Sequence, residues 1–177
     1  MKTLKIAAVI VVLAIAGVLG FAALQPDSFS VRRAASIKAP PEKIFPLIND
    51  FSRWGAWSPY EKKDPAMKRS FSGPAAGKGA VYAWEGNQDV GQGRMEIADA
   101  AAPSRVSLKL DFVKPFEAHN RVNFTLDPKG EATMVTWAME GPMPFISKVI
   151  CLFVDMDRMV GSDFEAGLAN LKAIAEK

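Results

Sequence analysis

Apolar and polar residues alternate in three different ways along the chain. From Ile6 to Leu24 no residue is charged and no side chain is polar. Nineteen such residues, at the helical rise of 1.5 Å each, reach about 28 Å, the thickness of a bilayer's hydrocarbon core. Beyond Gln25-Pro26-Asp27-Ser28 the pattern shortens to strand-like runs separated by Gly and Pro. Phe29–Ile37 reads as a first strand. Pro41 suits the first turn of a helix whose face is Ile44, Phe45, Leu47 and Ile48. A second short helix is predicted over Phe51–Trp57, ending at Ser58-Pro59.

About six strands then follow: Met67–Ser72, Ala80–Glu85, Gly93–Ala98, Arg105–Val113, Glu117–Leu126 and Thr133–Met139. Three of them alternate with period two, which places Val106, Leu108, Leu110 and Phe112, then Val122, Phe124 and Leu126, then Val135, Trp137 and Met139 on one face. Asp127–Gly130 reads as a hairpin loop. The remainder, Phe145–Glu176, has helical periodicity. Val149, Phe153, Met156, Val160, Phe164, Gly167, Leu171 and Ile174 form one stripe, with a kink expected at Gly161-Ser162. The fold class is therefore α+β: a curved antiparallel sheet wrapped around a long C-terminal helix, which leaves a cavity between the two.

The divisions are 1–24 for a transmembrane anchor, 25–28 for a linker and 29–177 for the domain. An uncleaved anchor is the first reading of the leader; a cleaved signal peptide is the second, because Gly20 and Ala22 fit a small-x-small site. Lys2 and Lys5 flank the leader's start, so the N-terminus is expected in the cytoplasm and the domain on the outer face, although Arg32 and Arg33 follow closely on the far side. A four-residue linker reaches at most ~14 Å and keeps the domain near the bilayer.

Charge excludes one class of partner. Lys2 and Lys5 are two of the 22 Lys and Arg, and the remaining 20 face 19 Asp and Glu. A near-neutral domain does not offer the basic face that nucleic acid requires. One Cys, Cys151, and one His, His119, make neither a disulfide nor a metal site, and no glycine cluster leads from a strand into a helix as a phosphate loop would. Cys151 reads as a buried small apolar residue.

Three segments resemble the SRPBCC (START-like, helix-grip) superfamily in its polyketide cyclase/dehydrase-type branch. They are Ile37-Lys38-Ala39-Pro40-Pro41-Glu42-Lys43-Ile44-Phe45, Trp54-Gly55-Ala56-Trp57-Ser58-Pro59, and Asp163-Phe164-Glu165-Ala166-Gly167-Leu168-Ala169-Asn170-Leu171-Lys172. The likeness spans roughly residues 29–176. It implies a deep, mostly apolar pocket for lipids, polyketides or other hydrophobic ligands, and it does not imply catalysis.

The expected function is a membrane-anchored binding domain for a hydrophobic small molecule or lipid, with no cofactor and no catalytic residue assigned. Trp57, Trp84 and Trp137 are candidates to line the pocket, although aromatic residues on strands are commonly core. Asp163 falls near the apolar stripe, where it either faces the cavity or caps a second helical half after Gly161-Ser162. His119 lies in the polar phase of its strand, as a solvated residue or at the pocket rim. A cyclase- or dehydratase-like enzyme would use Asp163 or Asp111 as acid and base. An envelope protein-interaction module would instead show an exposed apolar patch and a filled cavity. Val149–Val154, apolar all round, is expected either to form a lip toward the lipid or to be covered by the domain.

Overall fold

The computed structural model describes residues 2–177, with the side chains of Lys2, Thr3, Leu4 and Ala8 outside the described residues, so the Lys2 half of the expected cationic flank lies outside them too. Helix α1, Lys2–Ala23, is continuous and carries its apolar side chains exposed, from Ile6 to Phe21. Only its last turns touch the domain, where Ala22 is fully buried and the helix meets α4, Phe145–Cys151. The link from α1 to β1, Ser28–Ile37, is Leu24–Asp27, one residue earlier than the sequence suggests, because Asp27 already accepts a backbone bond from Met143.

Helix α2 covers Pro41–Asn49, a 3₁₀ helix covers Phe51–Ala56, and a single further turn, α3, covers Tyr60–Lys63. Six strands follow: β2 (Lys68–Ser72), β3 (Val81–Glu85), β4 (Gln92–Ala101), β5 (Arg105–Lys114), β6 (Ala118–Lys129) and β7 (Ala132–Pro142). All seven form one antiparallel sheet in the order β1-β7-β6-β5-β4-β3-β2. The expected alternation holds in β5, β6 and β7: Val106, Leu108, Leu110, Val122, Phe124, Leu126, Val135, Trp137 and Met139 are all buried on the inner face. The β6–β7 hairpin is tighter than expected, with Lys129 paired to Ala132 across Gly130 at φ +63°. Pro128 is tolerated inside β6 because β5 has already ended and no neighbour needs its missing N–H.

The C-terminal segment is not one helix. Residues 152–155 interrupt it, and α5 runs from Met156 to Ala175. The break is set by Asp155, whose carboxylate accepts the backbone N–H of Arg158 as an N-cap at 2.9 Å. Phe153, assigned to the buried stripe on the assumption of one helix, is 75% exposed. The helix does not break at Gly161-Ser162, and Asp163 caps nothing. Gly161 leaves room for the Arg33 guanidinium, which crosses the helix to reach Asp157 at 2.8 Å and Glu165 at 2.7 Å and which a Cβ there would displace.

Helix α5 packs chiefly against β1, an edge strand, and its side chains close that edge. Lys172 Nζ donates to the Ser36 carbonyl at 2.7 Å, and the Lys38 backbone N–H donates to Glu176 at 2.6 Å. Backbone groups that would otherwise template another strand are thereby occupied.

Candidate functional site

The inner face of the sheet is roofed by α2, the 3₁₀ helix and α5, and its centre is filled by aromatic rings. Trp57, fully buried, donates its indole N–H to the Leu47 carbonyl at 2.9 Å. It sits 4.8 Å from Trp54, 6.1 Å from Phe124 and 5.6 Å from Trp137, ring centre to ring centre. Trp137 stacks on Phe164 at 4.1 Å and 10°. Gly167 permits this packing, since a Cβ there would stand 2.7 Å from the Trp137 ring and 3.0 Å from Pro59. Offset and edge-on pairs of this kind add to ordinary apolar burial.

The cavity expected between sheet and C-terminal helix is therefore occupied at its middle, and Trp57 and Trp137 belong to the packing there. The reason is tertiary: the short 3₁₀ helix turns two tryptophans inward onto the strand residues Phe124 and Trp137. Trp84 lies farther along the same face, joined to this group through Tyr82 and Phe51. Its N–H is satisfied by the Val90 carbonyl at 2.9 Å, and Phe112 meets it edge-on. Toward this outer end the face is less sealed: Trp84, Met95, Leu110 and Met139 each keep 8–9% exposure.

The two polar candidates are not brought together. Asp163 is held by Lys63 on α3 at 2.6 Å, with its side chain 19% exposed. Burial, and then the Asp163 charge, push the neighbouring Tyr60 hydroxyl above its ordinary pKa. His119 is on the outer face of β6, where its Nδ1 lies 2.8 Å from Asp111 and its Nε2 3.3 Å from Glu117. The Asp111 hydrogen bond is the largest influence raising its pKa. His119 and Asp111 both lie on the outer face, where the polar phase of their strands puts them. Among the described residues three buried side-chain polar atoms have no protein partner, Asn49 Oδ1, Asn120 Oδ1 and Trp137 Nε1; Asn120 is packed against Gly141.

A separate cleft of about 560 Å³ opens where α1 joins the domain. One wall is Phe29 and Val31 of β1; the other is Leu152, Phe153 and Val154 of the α4–α5 connection, with Met143 and Met156 between. At its margin Lys148, almost wholly buried, pairs with Asp27 of the link at 2.6 Å and ties α4 to the foot of α1. That contact holds the Asp27 carboxyl below its ordinary pKa. Cys151 also lines the cleft and is half-buried, more open than the sequence suggests. The cleft was missed because it exists only when the C-terminal segment breaks at 152–155; the sequence signal for it is the capping Asp155. A shallower depression of about 310 Å³ lies between the 3₁₀ helix and β2, with Glu61 bridging Arg69 at 2.6 Å and the Tyr82 hydroxyl at 2.7 Å. Among the described residues no group of three His, Cys, Asp or Glu side chains could hold a metal ion.

Comparison with solved structures returns the same fold at low identity. The Aha1 dimer from Colwellia psychrerythraea matches with a TM-score of 0.61 and 17% identity over 84% of this chain and 96% of that one. The ginseng major latex-like protein 151 from Panax ginseng matches at 0.58 and 14% identity, over 86% of this chain and 100% of that one. Protein CV1439 from Chromobacterium violaceum matches at 0.59 and 14%, over 86% and 99%. At such identities these likenesses speak to the fold alone. A search of curated proteins finds no match. The family model for polyketide cyclase / dehydrase and lipid transport covers residues 28–176, which takes in every strand and both helices of the C-terminal segment. The chain thus belongs to the polyketide cyclase / dehydrase and lipid transport family, within the START-like, helix-grip superfamily.

Proposed function

We propose that this protein is a membrane-anchored binding domain that takes up a hydrophobic small molecule or lipid at the cleft beside its anchor. The observation that carries the reading is that cleft: about 560 Å³, lined by apolar side chains of β1 and the α4–α5 connection with Gln25, Ser30, Asp155 and Asp157 among them, and opening at the foot of a helix long and apolar enough to cross a membrane. Its volume lies within the range of small-molecule pockets, roughly 300–1,000 Å³. Burial of the ligand's apolar surface, at about 25 cal/mol per Å², supplies the driving force. Membership of a family that includes lipid transport supports the ligand class. In this reading α1 stays in the bilayer with Lys5 toward the cytoplasm, and the domain lies on the outer face.

A cyclase or dehydratase would need a carboxylate free to exchange a proton with substrate. Asp163 is neutralised by Lys63, and Asp111 faces outward beside His119, so the binding reading is preferred. The test uses the fragment 25–177, which retains every residue lining the cleft and every residue of the main apolar core, Val31 to Ala175. A hydrophobic fluorescent probe should bind it saturably, be displaced by fatty acids, and bind at least tenfold more weakly to Leu152→Glu. Binding that is unsaturable, or unchanged by Leu152→Glu, refutes the cleft as the site. The anchor is checked separately with the full chain. It should remain in the membrane fraction at alkaline pH, whereas release of a shortened form would establish the cleaved-signal alternative.

A further inference from the structure

Apart from Phe71 on β2 and Met159 on α5, the large exposed hydrophobic side chains of the folded domain lie at one end of the sheet and on α4 and its following loop beside the α1 foot. The pairing fixes which end. The start of β1 pairs with the end of β7, Ser28 with Pro142, and the end of β7 pairs with the start of β6, Glu140 with Arg121. The turn that leads from β5 into β6 is therefore at the same end as the exit of α1. That turn presents Val113 at 57% and Phe116 at 74% exposure. On the other side of the α1 foot, Phe145, Ile146, Ile150 and Phe153 of α4 and its following loop are also exposed, between 44% and 75%. The turns at the opposite end, Ala102–Ser104 and Gly130–Glu131, hold no large exposed hydrophobic side chain.

Nothing in the domain's own packing calls for an exposed Phe116. Its neighbours in the turn do not cover it, and it belongs to no aromatic pair among the described residues. From β1 to β5 the sheet crosses three strand spacings, about 14 Å at roughly 4.8 Å each. A second apolar point at that lateral distance from the α1 foot, on the face that a link of only Leu24–Asp27 holds against the bilayer, meets lipid. Glu117, tied to His119 at 3.3 Å, and Lys114 mark the polar limit on either side.

We infer that the β5–β6 turn, through Val113 and Phe116, is a second membrane contact, so that the domain stands end-on in the bilayer interface on α1, α4 and this turn. The inference rests on the anchored reading of α1. It assigns the domain a fixed orientation, with the less sealed outer end of the concave face and the cleft both turned toward lipid.

The experiment uses the full chain with Cys151→Ser, reconstituted into vesicles of phosphatidylethanolamine and phosphatidylglycerol. Single cysteines at Phe116→Cys, Ile146→Cys or Glu131→Cys carry an environment-sensitive fluorophore, the last at the opposite end of the sheet. The expected result is quenching by headgroup-proximal spin-labelled lipid that is several-fold stronger at 116 and 146 than at 131, with aqueous iodide giving the reverse order. If 146 is quenched and 116 behaves like 131, the domain leans on α4 alone and the inference is overturned. If 116 and 146 both behave like 131, the domain stands clear of the lipid and it is overturned as well. Should alkali strip the chain from the vesicles, the anchored reading fails first and takes the inference with it, so the two failures are distinguished.

Discussion

Trp57 separates a packed interior from a ligand-lined one. Its side chain is fully buried, meets Trp54, Phe124 and Trp137, and donates to the Leu47 carbonyl at the end of α2. Truncating a buried Trp or Phe to Ala costs roughly 3–5 kcal/mol. Three ring contacts and a hydrogen bond at 2.9 Å place Trp57→Ala at the upper part of that range, about 4–5 kcal/mol, against a usual domain stability of about 5–15 kcal/mol. Trp57→Phe keeps the rings but leaves the Leu47 carbonyl without its donor, and should cost about 1–3 kcal/mol. Urea unfolding of 25–177, followed by far-ultraviolet circular dichroism, gives both values. Probe binding measured on the same samples gives the control: Trp57→Phe should bind as tightly as the parent, because the cleft lies elsewhere. A Trp57→Ala variant within ~1 kcal/mol of the parent, combined with weakened probe binding, would refute the reasoning and return Trp57 to a pocket wall.

Two further outcomes follow from the geometry. Gly167→Ala places a Cβ 2.7 Å from the Trp137 ring and 3.0 Å from Pro59, so unfolding should show a loss of about 1–3 kcal/mol despite alanine's better helix propensity; a gain in stability would mean that the Trp137–Phe164 stack shifts freely. His119 is the only histidine, and proton NMR of its ring should give a folded-state pKa above 6.5, since the Asp111 carboxylate favours the protonated form. Its contribution to stability is thus present below about pH 6.5 and fades as pH rises through the raised folded-state value, and Asp111→Asn should return the titration toward 6.5.

The strands and their inner faces were legible because period-two alternation is a local property, and Val122-Asn123-Phe124-Thr125-Leu126 states it without reference to any partner. The leader was legible for the same reason. The helical stripe held from Met156 onward, where Phe164, Gly167 and Leu171 are buried, and failed at Phe153 because periodicity carries across a break: Asp155 restarts the helix while Phe153 swings out to solvent. The filled interior was not legible, because it depends on which rings meet. Trp54 and Trp57 look alike in sequence to residues at a pocket mouth, and only the turn of the 3₁₀ helix directs them onto Phe124 and Trp137. For Asp163 the wheel position was informative and the partner was not, since Lys63 lies in a single helical turn with no marked periodicity.

The place of β1 in the sheet has a consequence for how the chain is made. Strands β2 to β7 are a meander in which each pairs with its sequence neighbour, so they assemble by successive local hairpins. Strand β1 is the exception: the nearest of its pairs in sequence is Ile37 with Thr133, and Lys172 and Glu176, near the end of α5, help to close its outer edge. During synthesis β1 therefore emerges directly after α1 and waits without a partner for most of the domain to follow. An unpaired strand is a template for the wrong neighbour, whether another nascent copy or a foreign edge. The polar and cationic residues that interrupt it, Ser28, Ser30, Arg32, Arg33 and Ser36, keep it soluble through that interval, and Arg33 later becomes the clamp that fastens it to α5.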